Sequence, residues 1–217
     1  MTSGPGAPPL PPPQPPADAA RAIREAAQNV ASAWAQPTDP AEHSRALSQL
    51  HSILRDLGIA TRGLARFQTT GYPADPAPPD FPQHVAVSAE WLLEACEHPH
   101  GVLAAEGLTP VPDPDEPGAM LCRAARIAIT AWRQPAGTSA ERDSTVEQLI
   151  AAVGLLVAAT MSLAKYAPRR RALDLRAVAA SLSEVTTCLS KAIPPTQRTS
   201  NAGPFRVAPR RPRKSGR

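Results

Sequence analysis

One stretch of this sequence occurs twice, and the repetition limits what the chain can fold into. The first copy runs from about Ala20 to Phe67 and the second from about Gly118 to Tyr166. At a shift of 98, Ala26, Ala27, Ala33, Trp34, Gln36 and Pro37 fall on Ala124, Ala125, Ala131, Trp132, Gln134 and Pro135. One residue is gained in the following loop. From Ala41 to Phe67 the shift is 99, with nine identities over 27 positions and no gap: Ala41, Glu42, Gln49, Leu50, Leu57, Ala60, Thr61, Leu64 and Ala65 match Ala140, Glu141, Gln148, Leu149, Leu156, Ala159, Thr160, Leu163 and Ala164. A repeat of this length is one supersecondary unit that buries its apolar face against neighbours.

The repeat is helical. Leu50, Leu57 and Leu64 are seven apart, as are Leu149, Leu156 and Leu163, and Ile53, Leu54, Ala60, Thr61 and Phe67 flank the first set. About three core positions per heptad make a stripe wider than a coiled-coil seam. Asp39 with Glu42, and Thr138 with Glu141, have the spacing of capping boxes, and Pro40 suits a first helical position that needs no N–H. The long helices are therefore predicted over 39–68 and 138–166, stopped by Thr70-Gly71-Tyr72-Pro73 and by Pro168. Shorter helices precede them, over 18–36 with Asp18 as N-cap and over 118–134, each closing on Trp-x-Gln-Pro. A third helix follows each, over 82–97 and 172–192. Val85, Ala89, Leu92 and Cys96 match Val178, Leu182, Val185 and Leu189 at a shift of 93.

The expectation is an all-α chain: a tandem repeat of two three-helix units, six helices in one or two bundles. Its divisions are a disordered Pro-rich segment 1–17, unit one 18–98, an acidic Pro/Gly linker 99–117, unit two 118–193 and a disordered basic tail 194–217. The chain has 27 prolines, gathered at its ends and linkers, and 4% aromatic residues; Ala, Leu, Arg, Gln and Glu fill the rest, and no convincing strand is found. The Ala, Pro and Arg usage is of the kind found in high-GC bacterial genomes. Helix 138–166 carries an uncharged run, Leu149–Leu163, which at 15 residues is short of a bilayer span. Its all-round apolar character predicts burial on every side, as the central helix of a merged bundle or at a self-association surface, with Ile150, Leu155, Val157 and Met161 as the candidate protein interface.

Chemistry is scarce. Cys96, Cys122 and Cys188 are far apart and odd in number, and read as small core residues of a reducing, cytoplasmic environment. Cys96-x-His98-x-His100 resembles a metal pair without the second pair that a structural zinc needs. No phosphate loop, dinucleotide fingerprint or nucleophile elbow is found, so no cofactor and no catalytic residue is expected. No secretory signal is expected either, since the N-terminus has neither a basic region nor an apolar run. Trp34 and Trp132 stand at matched helix ends and read as packing residues. Gln49 and Gln148 edge the core.

The basic tail is the exception. The net charge is +4, and residues 194–217 hold seven bases and no acid, so residues 1–193 carry −3. Arg198, Arg206, Arg210, Arg211, Arg213, Lys214 and Arg217 on a flexible segment neutralise phosphates without reading sequence. No lipid anchor or basic amphipathic helix accompanies them, which favours nucleic acid over a membrane surface. The function expected is that of a non-enzymatic helical interaction or adaptor protein, its partner held by the bundle or the bundle self-associating, and its tail contacting nucleic acid or an acidic partner. The alternative is a DNA-associated accessory or regulatory protein, as of a bacterial mobile element, with the helix 39–68 arginines Arg45, Arg55, Arg62 and Arg66 as the contact face. For the tail, the logarithm of affinity for unspecific duplex DNA should fall against the logarithm of salt with a slope of about −6. In a chain ending at Ile193 the slope should vanish.

Overall fold

The computed structural model describes residues 14–36, 40–70, 78–106 and 115–193. Among them are six helices: α1 Pro16–Ala33, α2 Pro40–Leu64, α3 Phe81–Glu106, α4 Pro117–Ala131, α5 Ser139–Tyr166 and α6 Arg169–Lys191. The chain is all-α, with one small exception. Gln68–Thr69 (β1) pairs in parallel with Ala136–Gly137 (β2). Gln68 N–H donates to Pro135 O at 2.9 Å and Thr70 N–H to Gly137 O at 2.7 Å. Two residues a side give no periodicity to read, which is why the sequence shows no strand.

The helices form a closed ring. α1 packs on α4, α4 on α2, α2 on α3, α3 on α6, α6 on α5, and α5 back on α1. One contiguous apolar core runs through all six, and the six leucines of the two heptad stripes are fully buried in it. No helix is central. The expectation of α5 as the central helix of a merged bundle is thus corrected: it lies between α1 and α6 and keeps an outward face at Ala151, Gly154, Ala158 and Met161. At 28 residues α5 is, among the described residues, the one helix long and apolar enough to cross a membrane by length and composition. Its inner face is occupied by the bundle.

Local chemistry sets the ends. Thr138 Oγ1 accepts from Glu141 N–H at 3.2 Å and Glu141 Oε2 accepts from Thr138 N–H at 2.7 Å, the reciprocal box expected there. Asp39 lies outside the described residues. Asp18 is not the N-cap of α1; the helix starts two residues earlier at Pro16, and Asp18 sits in the first turn, where its charge suits the helix dipole. Trp34 and Trp132 are both C-caps. α3 outruns its expected end at 97 and reaches Glu106. Proline removes one hydrogen bond from a helix, and the strong helix formers Leu103, Ala104 and Ala105 follow Pro99.

Close approach of α2 and α4 rests on glycines. A Cβ on Gly63 would stand 2.7 Å from Trp132 O, and one on Gly118 would collide with the Gln49 side chain. The Trp132 indole is fully buried and donates through Nε1 to Pro16 O at 3.1 Å, so it ties the end of α4 to the start of α1. On the outer face of α5, a Cβ on Gly154 would meet nothing within 4 Å. Two substitutions of the same kind should therefore differ in sign. Gly63→Ala pushes against backbone and should cost about 1–3 kcal/mol in urea unfolding. Gly154→Ala should stabilise by about 0.5–1 kcal/mol, since alanine restricts the unfolded chain and favours helix.

Candidate interaction site

The corner where α5 turns into α6 presents three large apolar side chains to solvent: Met161 (46% exposed), Tyr166 (47%) and Leu173 (59%). Two of them, Met161 and Leu173, line a depression of about 640 Å³ together with Ala164, Lys165, Ala167, Arg169, Ala172 and Arg176. Three cations and no carboxylate line it. Lys165 Nζ lies 5.4 Å from the centroid of the Tyr166 ring. The local sequence explains the placement: Pro168 ends α5, so α6 begins at Arg169 and carries Arg169, Arg170 and Arg171 in its first turn. That turn has no acid and no side-chain cap. Arg169 and Arg170, both exposed, bring positive charge to the positive end of a helix dipole, an arrangement that an anion relieves.

A second groove, of about 720 Å³, runs along the outside of the α1–α5 contact. Arg24, Glu25, Gln28 and Asn29 line one wall and Ala151, Gly154 and Leu155 the other.

The α2–α4 seam is closed by charge. The buried carboxylate of Asp56 accepts from Arg126 Nε at 2.8 Å and from Arg55 Nη2 at 3.2 Å. Asp56 raises the pKa of Arg126 above its ordinary value, by hydrogen bond first and by charge second. Arg45 pairs with Glu116 at 3.6 Å and Arg62 with Glu90 at 2.7 Å. Three of the four arginines on the expected contact face of α2 thus stand against carboxylates.

At the start of α5 a complete ion pair is buried. Arg142 Nε donates to Asp143 Oδ1 at 2.8 Å, both residues are almost fully enclosed, and the guanidinium lies 5.6 Å from the centroid of Phe81. Arg142 Nη1 and Asp143 Oδ2 have no hydrogen-bond partner among the described residues. His43, 99 positions before Arg142, is also buried, and its Nε2–H donates to Leu163 O at 3.1 Å.

The sequence-predicted sites divide accordingly. Arg206, Arg210, Arg211, Arg213, Lys214 and Arg217 lie outside the described residues. Ile150, Leu155 and Val157 are half-buried and pack against the core of their own bundle; of the four interface candidates Met161 alone is open. Cys96 is buried and donates through Sγ to Leu93 O at 2.9 Å. The His98 and His100 side chains lie outside the described residues. Among the described residues no group of three or more His, Cys, Asp or Glu side chains could hold a metal. Both repeat tryptophans are buried, as packing residues are. Gln49 Nε2 donates to Glu116 Oε2 across the seam. Sequence reading passed over Lys165, Tyr166, Arg169, Arg170, Leu173 and Arg176. The run of arginines was visible, but not that Met161 and Leu173, on different helices, stand beside it. Compared with protein-family models, curated proteins and solved structures, the chain matches none.

Two measurements follow from these environments. Removing one member of the buried pair by Asp143→Leu should cost about 3–5 kcal/mol, whereas Arg142→Met with Asp143→Leu should recover most of it, because an unpaired buried charge is what destabilises. Burial, aided by the Asp56 charge, pushes the Cys122 thiol up to about 11 from 9.0, and burial raises Cys96 as well. Cys188, which is half-buried, should therefore react first with a disulfide reagent at pH 8. The Cys122 contribution to stability is present below the unfolded thiol's pKa and lost as the pH rises from 9.0 to about 11.

Proposed function

We propose that this chain is a non-enzymatic interaction protein, built from a duplicated three-helix unit, that associates through the outer face of α5 and carries a basic tail for nucleic acid or an acidic partner. The duplication is supported by the pairings in the ring. Exchanging α1 with α4, α2 with α5 and α3 with α6 turns the α1–α5 contact into α4–α2 and α5–α6 into α2–α3, and leaves α1–α4 and α3–α6 as they are. Burial repeats as well: Ala46, Leu47, Leu50, Ile53, Leu54, Leu57, Ala60, Thr61 and Leu64 of α2 are buried, and so is every residue 99 positions later.

The observation that carries the reading is the outward face of α5. Ala151, Gly154, Ala158 and Met161 stand exposed at helical spacing within a run, Gln148–Ala164, that has no charge. An exposed helix of this kind presents a surface that a second helix can approach closely. The matching strip of α2 carries Arg55 and Arg62, held by Asp56 and Glu90. The two copies therefore differ where one is closed by ion pairs and the other is open.

The alternative, a DNA-associated accessory protein, needs the α2 arginines to be available to phosphates. Their pairing with Glu116, Asp56 and Glu90 favours the adaptor reading, in which reversal of Arg55 and Arg62 leaves DNA binding by the full chain unchanged. Sedimentation equilibrium tests the main reading. The wild-type chain should self-associate, and Ala158→Glu, at an exposed site, should be monomeric with an unaltered melting curve. A wild-type chain that stays monomeric, or association indifferent to Ala158→Glu, removes the support.

A further inference from the structure

We infer that the α5–α6 corner docks the chain on an anionic membrane surface. The corner shares Met161 with the proposed association face of α5 but does not depend on that association, which sedimentation reads separately. Four features converge there. Met161, Tyr166 and Leu173 are the exposed apolar groups, and they come from the end of one helix and the start of the next. Lys165, Arg169, Arg170 and Arg176 are exposed around them, and their long stems keep the charge in water while covering apolar surface. Asp174, half-buried, is the sole carboxylate between Lys165 and Arg176. The start of α6 has no side-chain cap and brings the positive end of a helix dipole to the same corner.

Each candidate partner meets this set differently. A phosphate-rich polymer uses the cations and the helix start but leaves Leu173 and Met161 in water. An anionic phospholipid layer uses both: headgroup phosphates meet the arginines and Lys165, and the exposed apolar side chains Met161, Tyr166 and Leu173 enter the acyl boundary. A tyrosine whose ring is apolar and whose hydroxyl is polar belongs at that depth. The corner thus supplies what the basic tail lacks in sequence, a partly apolar helix beside the charge.

The test is co-sedimentation of the full chain with vesicles of phosphatidylcholine alone and with about 30 mol % phosphatidylserine, at low and high salt. Binding should require phosphatidylserine and weaken with salt. Arg169→Glu with Arg176→Glu should weaken it about tenfold or more. Leu173→Asp should do the same, and a chain with Arg210, Arg211, Arg213 and Lys214 changed to Gln should retain the Leu173 dependence. A second readout avoids charge reversal: in Tyr166→Trp, brominated lipids should quench the new indole. No binding to phosphatidylserine vesicles overturns the inference, as does binding indifferent to both the arginine pair and Leu173, or an unquenched Trp at 166. Loss of duplex DNA binding in the arginine variant, with vesicle binding unaffected by Leu173→Asp, overturns it in favour of a bare phosphate surface.

Discussion

The leucine stripes of α2 and α5 must be covered on two sides, and the helix that covers one side of each comes from the far part of the chain. α1 lies on α5, and α4 lies on α2. Everything else in the bundle answers to this exchange. It closes the ring, it makes one core of residues from all six helices, and it explains why Trp132, at the end of α4, reaches Pro16 at the start of α1. It also demands glycine where α2 and α4 come closest, since neither the Trp132 carbonyl nor the Gln49 side chain leaves room for a Cβ.

On the proposed duplication, differences between the copies are the informative positions. Where α2 has Arg55 and Asp56, α5 has Gly154 and Leu155; where α4 has Arg126, α1 has Gln28. The first set forms a seam closed by a buried carboxylate and two arginines. The second leaves an open groove beside an uncharged helix face. A buried charge persists only where it is paired, so the α2–α4 seam is fixed by its chemistry. The α1–α5 seam is free to carry a surface with another use.

How much of this was legible in the sequence follows from what kind of signal each part leaves. The heptad leucines, the Thr138–Glu141 box and the stop at Pro168 are local, and each lies where spacing and propensity put it. The pairing of α1 with α5 and of α4 with α2 is not local: packing between sequence neighbours and packing between distant helices bury the same stripes, and periodicity does not choose between them. The same holds for the sites. Arg169, Arg170 and Arg171 are plain in the sequence, but their company of Met161, Tyr166 and Leu173 depends on the turn between two helices. Arg142 and Asp143 fall beside a heptad stripe where charge is unusual, and the sequence gives no hint that Phe81 covers them. The central place expected for α5 was over-read from its composition, because alanine and glycine at its outer positions make a strip that is exposed in the single chain look like core.

The account stands on the six helices forming one cooperative fold through the exchanged helices. Native-state hydrogen exchange measures this directly. Amides in α1, α4 and α5 should share the slowest, globally limited opening, since α1 cannot leave without uncovering α5. Exchange in which residues 14–106 open as one unit and residues 115–193 as another, with separate free energies, would contradict it.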